Sequence, residues 1–284
     1  MSKIAASTLL EAKIPDARQR VTARDHAFYA LSIGYGQDPA EPTALRYVDP
    51  APTMAVVPSV ALVLGYPGFW LGSPALGLDA ARIVHVAQEI ELHRPIPVEA
   101  EVVGRTRVTG LWSRGDDRGL ALASERTLAD GVGRPLATLR QRHFLLGDAC
   151  ADAPPLPRET PEEGRGEGAA AMVVLPTRPE QALFYRLNGD RNPLHSDPAT
   201  AAAAGFPAPI LHGMCTFGVV TRAVVAHRCA GDGTRLRRIA MRFRGVVYPG
   251  ETLTLSVDED GRFTASVPER QTVVVDQGRC SPSD

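Results

Sequence analysis

The chain has 284 residues, of which 44% are hydrophobic, 22% charged and 6% aromatic. This composition is typical of a soluble globular protein with one or two cores, and it excludes a disordered chain and a coiled coil. The net charge of -1 gives no electrostatic basis for binding nucleic acid. Lys3 and Lys13 are the only lysines, and neither has the sequence context of a phosphate-binding loop or of a Schiff-base enzyme.

The cysteines show no C-x-x-C pairing and no regular spacing, which indicates reduced thiols in a cytoplasmic setting rather than a zinc site or a disulfide framework. They are Cys150, Cys215, Cys229 and Cys280. The N-terminus lacks the features of a signal peptide, and residues 281–284 are not a peroxisomal signal. The most apolar segment, 55–71, is interrupted by proline and glycine and is too short to span a membrane, so it predicts a buried helix with an irregular end.

A stretch rich in proline, glycine and acidic residues, 147–168, indicates a linker near the middle of the chain. We therefore expect a first unit over residues 1–150, a linker over 151–170 and a second unit over 171–284. Both units show the same predicted order, a long apolar helix followed by several strands, as expected after a duplication. This order favours an α+β fold.

The predicted elements follow this order along the chain. In the first unit the helix covers 53–63, and the strands cover 82–93, 99–109, 120–127 and 136–146. In the second unit the helix covers 214–228, and the strands cover 236–247, 252–257, 262–267 and 272–276. Apolar and polar residues alternate in several of these strands, which is typical of antiparallel sheets with one wetter face.

The segment 185–198, YRLNGDRNPLHSDP, opens the second unit and has unusual chemistry for a connection. A short helix over 179–187 is expected to end at the Asn-Gly pair, since both residues tolerate left-handed backbone angles. The Asn-Pro pair is a second turn signal, so Asp190 and His195 lie on one tight loop and can face each other. A carboxylate and an imidazole so placed can share acid and base catalysis. Alternatively, Asp190 is simply a turn residue.

Two other interpretations concern the residues that follow. Asp197 precedes a proline and a small-residue stretch, so we expect it to cap a helix over 198–204. His195 and Asp197, together with His212, also match the two-histidine, one-carboxylate pattern of non-haem iron sites. We expect no metal here, because the distal histidine of such sites normally arrives from a separate strand, whereas His212 follows one short helix.

Gly213 stands at the first turn of the most apolar helix. The first amides of a helix have no partners within it and carry partial positive charge, so they can stabilise an oxyanion that develops on a carbonyl. Alternatively, Gly213 only allows close helix packing. Cys215 lies inside the same helix with no base at a fixed spacing, so we expect a small core residue rather than a nucleophile.

Residues 185–218, YRLNGDRNPLHSDPATAAAAGFPAPILHGMCTFG, resemble the signature of the MaoC-like R-specific 2-enoyl-CoA hydratases, also called hydratase 2. Weaker similarity to that family continues at 30–34, 85–97 and 241–251. The resemblance implies a double hot-dog fold, in which each repeat is a long helix wrapped by an antiparallel sheet. It also implies that the C-terminal repeat carries the chemistry, while the N-terminal repeat is catalytically silent and makes room for bulky acyl chains.

The resemblance also implies roles for particular residues. Asp190 and His195 match the catalytic pair, Asn192 matches a supporting amide of the loop, and Gly213 matches the backbone oxyanion donor. A second group of residues is expected to bind the acyl-CoA substrate. It comprises His85 and Phe243, which match positions that contact the acyl-CoA, and the neighbouring Val86. Apart from the resemblance, Arg118, Arg242 and Arg244 are candidates for the CoA phosphates, although most arginines in this chain are expected to be ordinary surface charge. Val86 stands where family members often have glycine, so chain-length preference could differ.

The implied reaction is the reversible syn addition of water to a trans-2-enoyl-CoA, giving a 3R-hydroxyacyl-CoA. No metal or redox cofactor is expected, because the thioester already makes C3 electrophilic. The expected partner is the acyl-CoA substrate, with no nucleic acid or membrane, and the chain is expected to form a homodimer. Two other functions stay open, a hot-dog acyl-CoA thioesterase and a non-catalytic acyl-CoA-binding protein.

Overall fold

The structure, a computed structural model, describes residues 2–38, 40–115, 117–158 and 171–283, so residues 159–170 of the predicted linker lie outside the described residues. Six α-helices occur within the described ranges. They are α1 (Ala6–Leu10), α2 (Ala23–Ser32), α3 (Pro42–Val48), α4 (Gln181–Tyr185), α5 (Pro198–Ala203) and α6 (Gly213–Arg228). None of these helices combines the length and the apolar character that crossing a lipid bilayer requires.

The strands of the first half are β1 (Ser2–Lys3), β2 (Ala17–Val21), β3 (Ile83–Leu92), β4 (Ala100–Ser113), β5 (Leu120–Asp130), β6 (Pro135–Leu145) and β7 (Asp148–Ala149). Those of the second half are β8 (Ala171–Pro176), β9 (Leu236–Phe243), β10 (Thr252–Val257), β11 (Arg262–Val267) and β12 (Thr272–Pro282). The short strands β1 and β7 pair with each other in parallel, apart from the main sheet.

The other ten strands form one antiparallel sheet in the order β2-β4-β5-β6-β3-β9-β12-β11-β10-β8. Each half of the chain contributes five neighbouring strands. Counted from the outer edge, both halves place their strands in the same order, namely first, third, fourth, fifth and second. The two second strands, β3 and β9, pair antiparallel at the centre, where Ile90 lies opposite Ile239. The repeated order is that expected of a duplicated α+β unit.

Helix α6 is the central helix of the second half. It confirms the predicted helix over 214–228 and begins one residue earlier. Eleven of its residues are buried, among them Phe217 and Val224. The inner face of the adjoining sheet is apolar, with Leu253, Leu255 and Ala265 each at most 1% exposed, and these residues share one core with α6.

The predicted helix over 53–63 in the first half is wrong. The segment is buried as expected, but it forms only one short 3₁₀ helix, Pro58–Leu62. Pro58 lacks an amide donor, and the chain turns sharply at Gly65, where φ is 53°. A Cβ on Gly65 would lie 2.6 Å from the amide nitrogen of Gly104 on β4, so the chain approaches the sheet too closely for a continuing helix. Within the described part of the first half there is therefore no long central helix.

The predicted strands match the sheet closely, and the two at 252–257 and 262–267 are confirmed residue for residue. The strand predicted at 236–247 ends earlier, at Phe243, since the chain turns at a Gly-containing segment. The strand predicted at 272–276 runs on to Pro282 through an irregularity at Gln277, whose φ is 49°. The edge strands β2 and β8 and the helices α1 to α3 were not predicted.

Candidate active site

A tight loop after α4 carries the candidate catalytic pair. The helix predicted over 179–187 is observed as α4 followed by a 3₁₀ turn, Arg186–Asn188. Gly189 then adopts a φ of 120°, which confirms that the chain reverses at the Asn-Gly pair. The side-chain amide of Asn188 fixes this turn, because it donates to the main-chain oxygen of Tyr185 at 2.9 Å and to Oγ of Ser32 at 2.9 Å.

Asn192 shapes the next turn of the loop. Its side-chain oxygen accepts from the amide of Leu194 at 3.0 Å and caps the 3₁₀ turn Pro193–His195. The amide of Asn192 in turn donates to Oδ1 of Asp190 at 3.2 Å. These two local hydrogen bonds hold Asp190 and His195 on the same side of the loop, which fits the supporting role expected of Asn192.

Asp190 and His195 face each other as predicted, and His212 joins them. One side-chain nitrogen or oxygen from each of the three residues lies within 4.8 Å of those of the other two. Asp197 lies outside this group. Its carboxylate accepts from the amides of Ala199 at 3.1 Å and Thr200 at 3.3 Å, which confirms that it caps α5.

The hydrogen bonds of His195 determine which ring nitrogen is available for chemistry. Nδ1 lies 2.8 Å from the main-chain oxygen of Ile210, and a carbonyl can only accept, so Nδ1 carries the proton. Burial lowers the pKa of His195 below its ordinary value of 6.5, although the charge of Asp190 partly opposes this. The ring is therefore neutral at pH 7, and its unprotonated Nε2 is able to accept a proton.

His212 is a part of the site that the sequence did not assign to catalysis. Its ring stacks on that of His195, with centroids 3.8 Å apart, and its Nε2 donates to the main-chain oxygen of Asp190 at 3.2 Å. Burial and the neighbouring His195 lower the pKa of His212 to about 2, so the ring is neutral. One buried imidazole thus contacts both members of the pair. In the sequence it was singled out only for the iron-site pattern, although it lies directly before Gly213.

The three converging groups differ from the iron-site pattern that the sequence contains. The rings of His195 and His212 are stacked at an interplanar angle of 29°, with centroids 3.8 Å apart. In each ring one nitrogen is hydrogen-bonded to a main-chain oxygen. The carboxylate in the group is Asp190, not the Asp197 of the iron-site pattern.

The N-terminus of α6 lies beside this pair, since α6 begins at Gly213, the residue after His212. The amides of the first helical residues, Gly213 and Met214, have no acceptor within the helix and can donate to an oxyanion. Phe243 closes this side, because a Cβ on Gly213 would lie 3.6 Å from its ring. Cys215 is fully buried, and burial raises the pKa of its thiol, which confirms a core residue rather than a nucleophile.

An aromatic wall extends from Phe243 into the first half of the chain. The ring of His85 meets that of Phe243 edge-on at 5.2 Å and stacks on that of His143 at 4.6 Å. Burial lowers the pKa of His85 to about 4, so this wall is neutral at pH 7. Val86, the neighbour of His85 on β3, is 9% exposed. The sequence identified His85, Val86 and Phe243, but it gave no signal for His143.

Two of the candidate arginines for CoA share one carboxylate, and the third lies in a separate turn. Arg244 adjoins Phe243, and its guanidinium lies 3.3 Å from the carboxylate of Asp276. Arg242 binds the same carboxylate through two hydrogen bonds of 2.7 and 2.8 Å. Arg118 is in the turn between β4 and β5, where its amide donates to the main-chain oxygen of Gly115. Their binding of CoA phosphates stays a prediction.

Comparison with known families matches both halves of the chain. Residues 20–147 match the MFE-2 hydratase 2 N-terminal domain, and residues 164–278 match the MaoC like domain. Among curated proteins, the enoyl-CoA hydratase ChsH3 of Mycobacterium tuberculosis is 36% identical over 279 residues, which cover 95% of this chain and 95% of that protein. Together the two family matches cover most of the chain.

Solved structures give the same result. A MaoC-like dehydratase from Phytophthora capsici is 28% identical and covers 99% of this chain and 100% of that chain, with a TM-score of 0.84. A conserved hypothetical protein from Mycobacterium tuberculosis described as a double hotdog fold is 18% identical and covers 95% of this chain and 94% of that chain, with a TM-score of 0.57. The second likeness concerns the fold alone. The chain has the double hot-dog fold and belongs to the MaoC-like hydratase 2 family.

Proposed function

We propose that this chain is a hydro-lyase that adds water reversibly and with syn geometry to a trans-2-enoyl-CoA, giving a 3R-hydroxyacyl-CoA. The observation that carries the proposal is the convergence of Asp190 and His195 within 4.8 Å, beside the N-terminus of α6. The enzyme class agrees with that of the relatives, which are named enoyl-CoA hydratases and dehydratases.

The chemistry of the pair follows from its protonation. Asp190 and the unprotonated Nε2 of His195 hold one water molecule between them. The pair removes a proton from this water as its oxygen bonds to C3, and it returns a proton to C2 on the same face of the double bond. Each direction of the reaction needs one proton taken up and one returned, so both groups are needed in each direction.

The N-terminus of α6 supports the other half of the reaction. As water attacks C3, negative charge moves to the thioester oxygen, and the amide of Gly213 donates a hydrogen bond to that oxygen. The aromatic wall of Phe243 and His85 lies next to Gly213 and bounds the space for the acyl group. Because His85 is neutral at pH 7, this wall does not attract the negative charge of the thioester oxygen. Proton transfer is then left to Asp190 and His195.

Crotonyl-CoA distinguishes this function from thioester hydrolysis. We expect the absorbance of its conjugated thioester to fall on incubation with the protein, with no release of free thiol and with the 3R product on chiral analysis. The reason is that addition across C2 and C3 leaves the thioester bond intact. Release of CoA thiol in step with the loss of absorbance would instead identify a thioesterase. Binding of crotonyl-CoA without turnover would identify a non-catalytic acyl-CoA-binding protein.

The rate of hydration should depend on pH through His195. Because the pKa of His195 is lowered from 6.5, its neutral form persists below that pH. We therefore expect kcat/KM for crotonyl-CoA to stay level as the pH falls to 6.5 and to decrease only below it, as Nε2 becomes protonated. The measurement is kcat/KM against pH at constant ionic strength. A decrease that begins clearly above 6.5 would contradict a neutral His195.

We further infer one active site per chain, in the C-terminal repeat. The described residues of the first half form no long central helix and thus no counterpart to the N-terminus of α6, which supports a catalytically silent N-terminal repeat. The unit boundaries 1–150, 151–170 and 171–284, the homodimer and the cytoplasmic setting stay predictions of the sequence.

A further inference from the structure

Helix α2 belongs to the first half of the chain, yet its C-terminal end lies against the catalytic elements of the second half. The ring of Tyr29 on α2 meets that of Tyr185 edge-on, with centroids 6.2 Å apart, and the ring of Tyr185 lies 5.1 Å from that of His212. A Cβ on Gly218 of α6 would lie 2.5 Å from Cγ2 of Ile33, the residue that ends α2. The end of α2 is therefore packed closely against both α4 and α6.

Ser32, the last residue of α2, is buried and accepts hydrogen bonds from three parts of the second half. Its main-chain oxygen has no partner within the helix, as is usual at a helix end, and accepts from Nε2 of Gln181 at 3.1 Å and from the thiol of Cys215 at 3.6 Å. Its hydroxyl oxygen accepts from Nδ2 of Asn188 at 2.9 Å. Gln181 begins α4, Asn188 ends the turn that follows it, and Cys215 lies in the first turn of α6. Ser32 thus lies where the catalytic loop and the helix of the oxyanion site meet.

The hydroxyl of Ser32 is held in one orientation. Its Oγ lies 2.7 Å from the main-chain oxygen of Tyr29, and a carbonyl can only accept, so the hydroxyl donates to it. The lone pairs of Oγ are then left for the side-chain amide of Asn188. That amide also donates to the main-chain oxygen of Tyr185 at 2.9 Å. Ser32 therefore gives Asn188 a fixed acceptor on a helix, and alanine at this position would remove it.

The turn that Asn188 holds leads directly into the catalytic aspartate. Gly189 comes next, with a φ of 120°, and Asp190 follows it. A Cβ on Gly189 would meet no atom within 4 Å, so packing against the described residues does not restrain the chain here. The position of Asp190 then depends on the hydrogen bonds on either side of the glycine. On one side the amide of Asn192 donates to Oδ1 of Asp190, and on the other side Asn188 is bonded to Ser32.

We propose that Ser32 is a positioning residue for the hydration reaction. Its hydroxyl holds Asn188, and through Asn188 it holds the chain reversal that presents Asp190 to His195. Its main-chain oxygen joins the same loop to the first turn of α6, so the acid and base pair and the oxyanion site are aligned on one point of α2. The N-terminal repeat then contributes to the rate through a residue that takes no part in proton transfer. This inference rests on the proposed hydration of enoyl-CoA and adds a residue that acts through the catalytic loop.

The first test is Ser32→Ala, which removes the hydroxyl and leaves the main-chain oxygen. We expect kcat for crotonyl-CoA to fall about fivefold or more and KM to change less than about twofold, because Asp190 is displaced while the groups that bind the substrate stay in place. Steady-state kinetics, normalised to the folded fraction, measures both constants. An unchanged kcat in this variant would overturn the proposal. Absence of hydration by the wild-type protein would instead overturn the proposed function.

Thr221→Val is the matched control, because it removes a hydroxyl of the same kind at a distance from the loop. Thr221 is fully buried in α6, and its Oγ1 donates to the main-chain oxygen of Phe217 at 2.8 Å. Both variants lose one buried hydrogen bond between a hydroxyl and a main-chain oxygen, so we expect both unfolding midpoints to fall. Only Ser32→Ala should lose kcat per folded molecule. An equal loss of kcat in the two variants would indicate a purely structural effect and would overturn the proposal.

A double-mutant cycle with Asn188→Ala tests whether Ser32 acts through Asn188. We expect Asn188→Ala to lower kcat at least as much as Ser32→Ala does, and the double variant to have about the same kcat as Asn188→Ala, because both changes break one hydrogen bond. Effects that multiply in the double variant would contradict this route. If Ser32→Ala does not fold, Asn188→Ala tests the same contact from the half-buried side of the loop, and an unchanged kcat there would overturn the proposal.

Discussion

Replacing Asp190 by Asn, or His195 by Gln, is expected to lower the hydration of crotonyl-CoA at least about a hundredfold while the protein stays folded. Both substitutions keep the approximate shape of the side chain and remove its ability to take up or return a proton. The measurement is kcat/KM for crotonyl-CoA together with the thermal unfolding midpoint of each variant.

Asp197→Asn provides the matched control for these variants. Asp197 lies on the same segment, but its carboxylate caps α5 rather than facing His195. This substitution should change stability only slightly, since Asn is also a good cap, and should leave turnover near the wild-type value. Near wild-type turnover by Asp190→Asn or His195→Gln would exclude the proposed acid and base pair.

The second large effect is expected at His212, which we infer to be a positioning residue. His212→Ala removes both the ring stacked on His195 and the donor to the main-chain oxygen of Asp190. Small displacements of catalytic groups lower rates steeply, so we expect kcat to fall about ten- to a hundredfold with little change in KM. Steady-state kinetics with crotonyl-CoA, at several pH values, measures this.

His212→Phe separates the two contacts. Phenylalanine retains a flat ring against His195 but has no donor for Asp190, so its rate should lie between those of the wild type and His212→Ala. A purely structural role would lower the unfolding midpoint and leave kcat per folded molecule unchanged, which would contradict the inference. A parallel loss of kcat in both variants would assign the effect to the hydrogen bond alone.

The part of the fold that was predicted from the sequence depends on local patterns. The strands at 252–257 and 262–267 were correct because residue alternation and the flanking turns determine them. The helix at 53–63 was wrong because its chain path depends on Gly65 meeting Gly104, a contact with a strand far along the chain. Helix α2 was missed although Thr22 and Asp25 form a reciprocal cap at its start, which is a readable signal.

The residues of the candidate site likewise divide into those that a local pattern predicted and those that depend on contacts far along the chain. Asp190, Asn192 and His195 share one loop whose turns are encoded by neighbouring residues, so their approach to one another was predictable. His143 comes from a strand of the first half and joins the wall of His85 and Phe243 only after the sheet forms. No short-range pattern distinguishes it from ordinary strand residues, and none of the segments that resemble the family includes it.

The central pairing of β3 with β9 has a consequence for any attempt to divide the protein. His85 on one strand and Phe243 on the other form a single wall, so the aromatic wall beside Gly213 is built from both halves. A fragment consisting of the second half alone would keep Asp190 and His195. It would, however, leave β9 as an edge strand with unpaired backbone N–H and C=O groups. Such a fragment would be prone to self-association through this edge. We therefore expect the activity to require both halves in one chain.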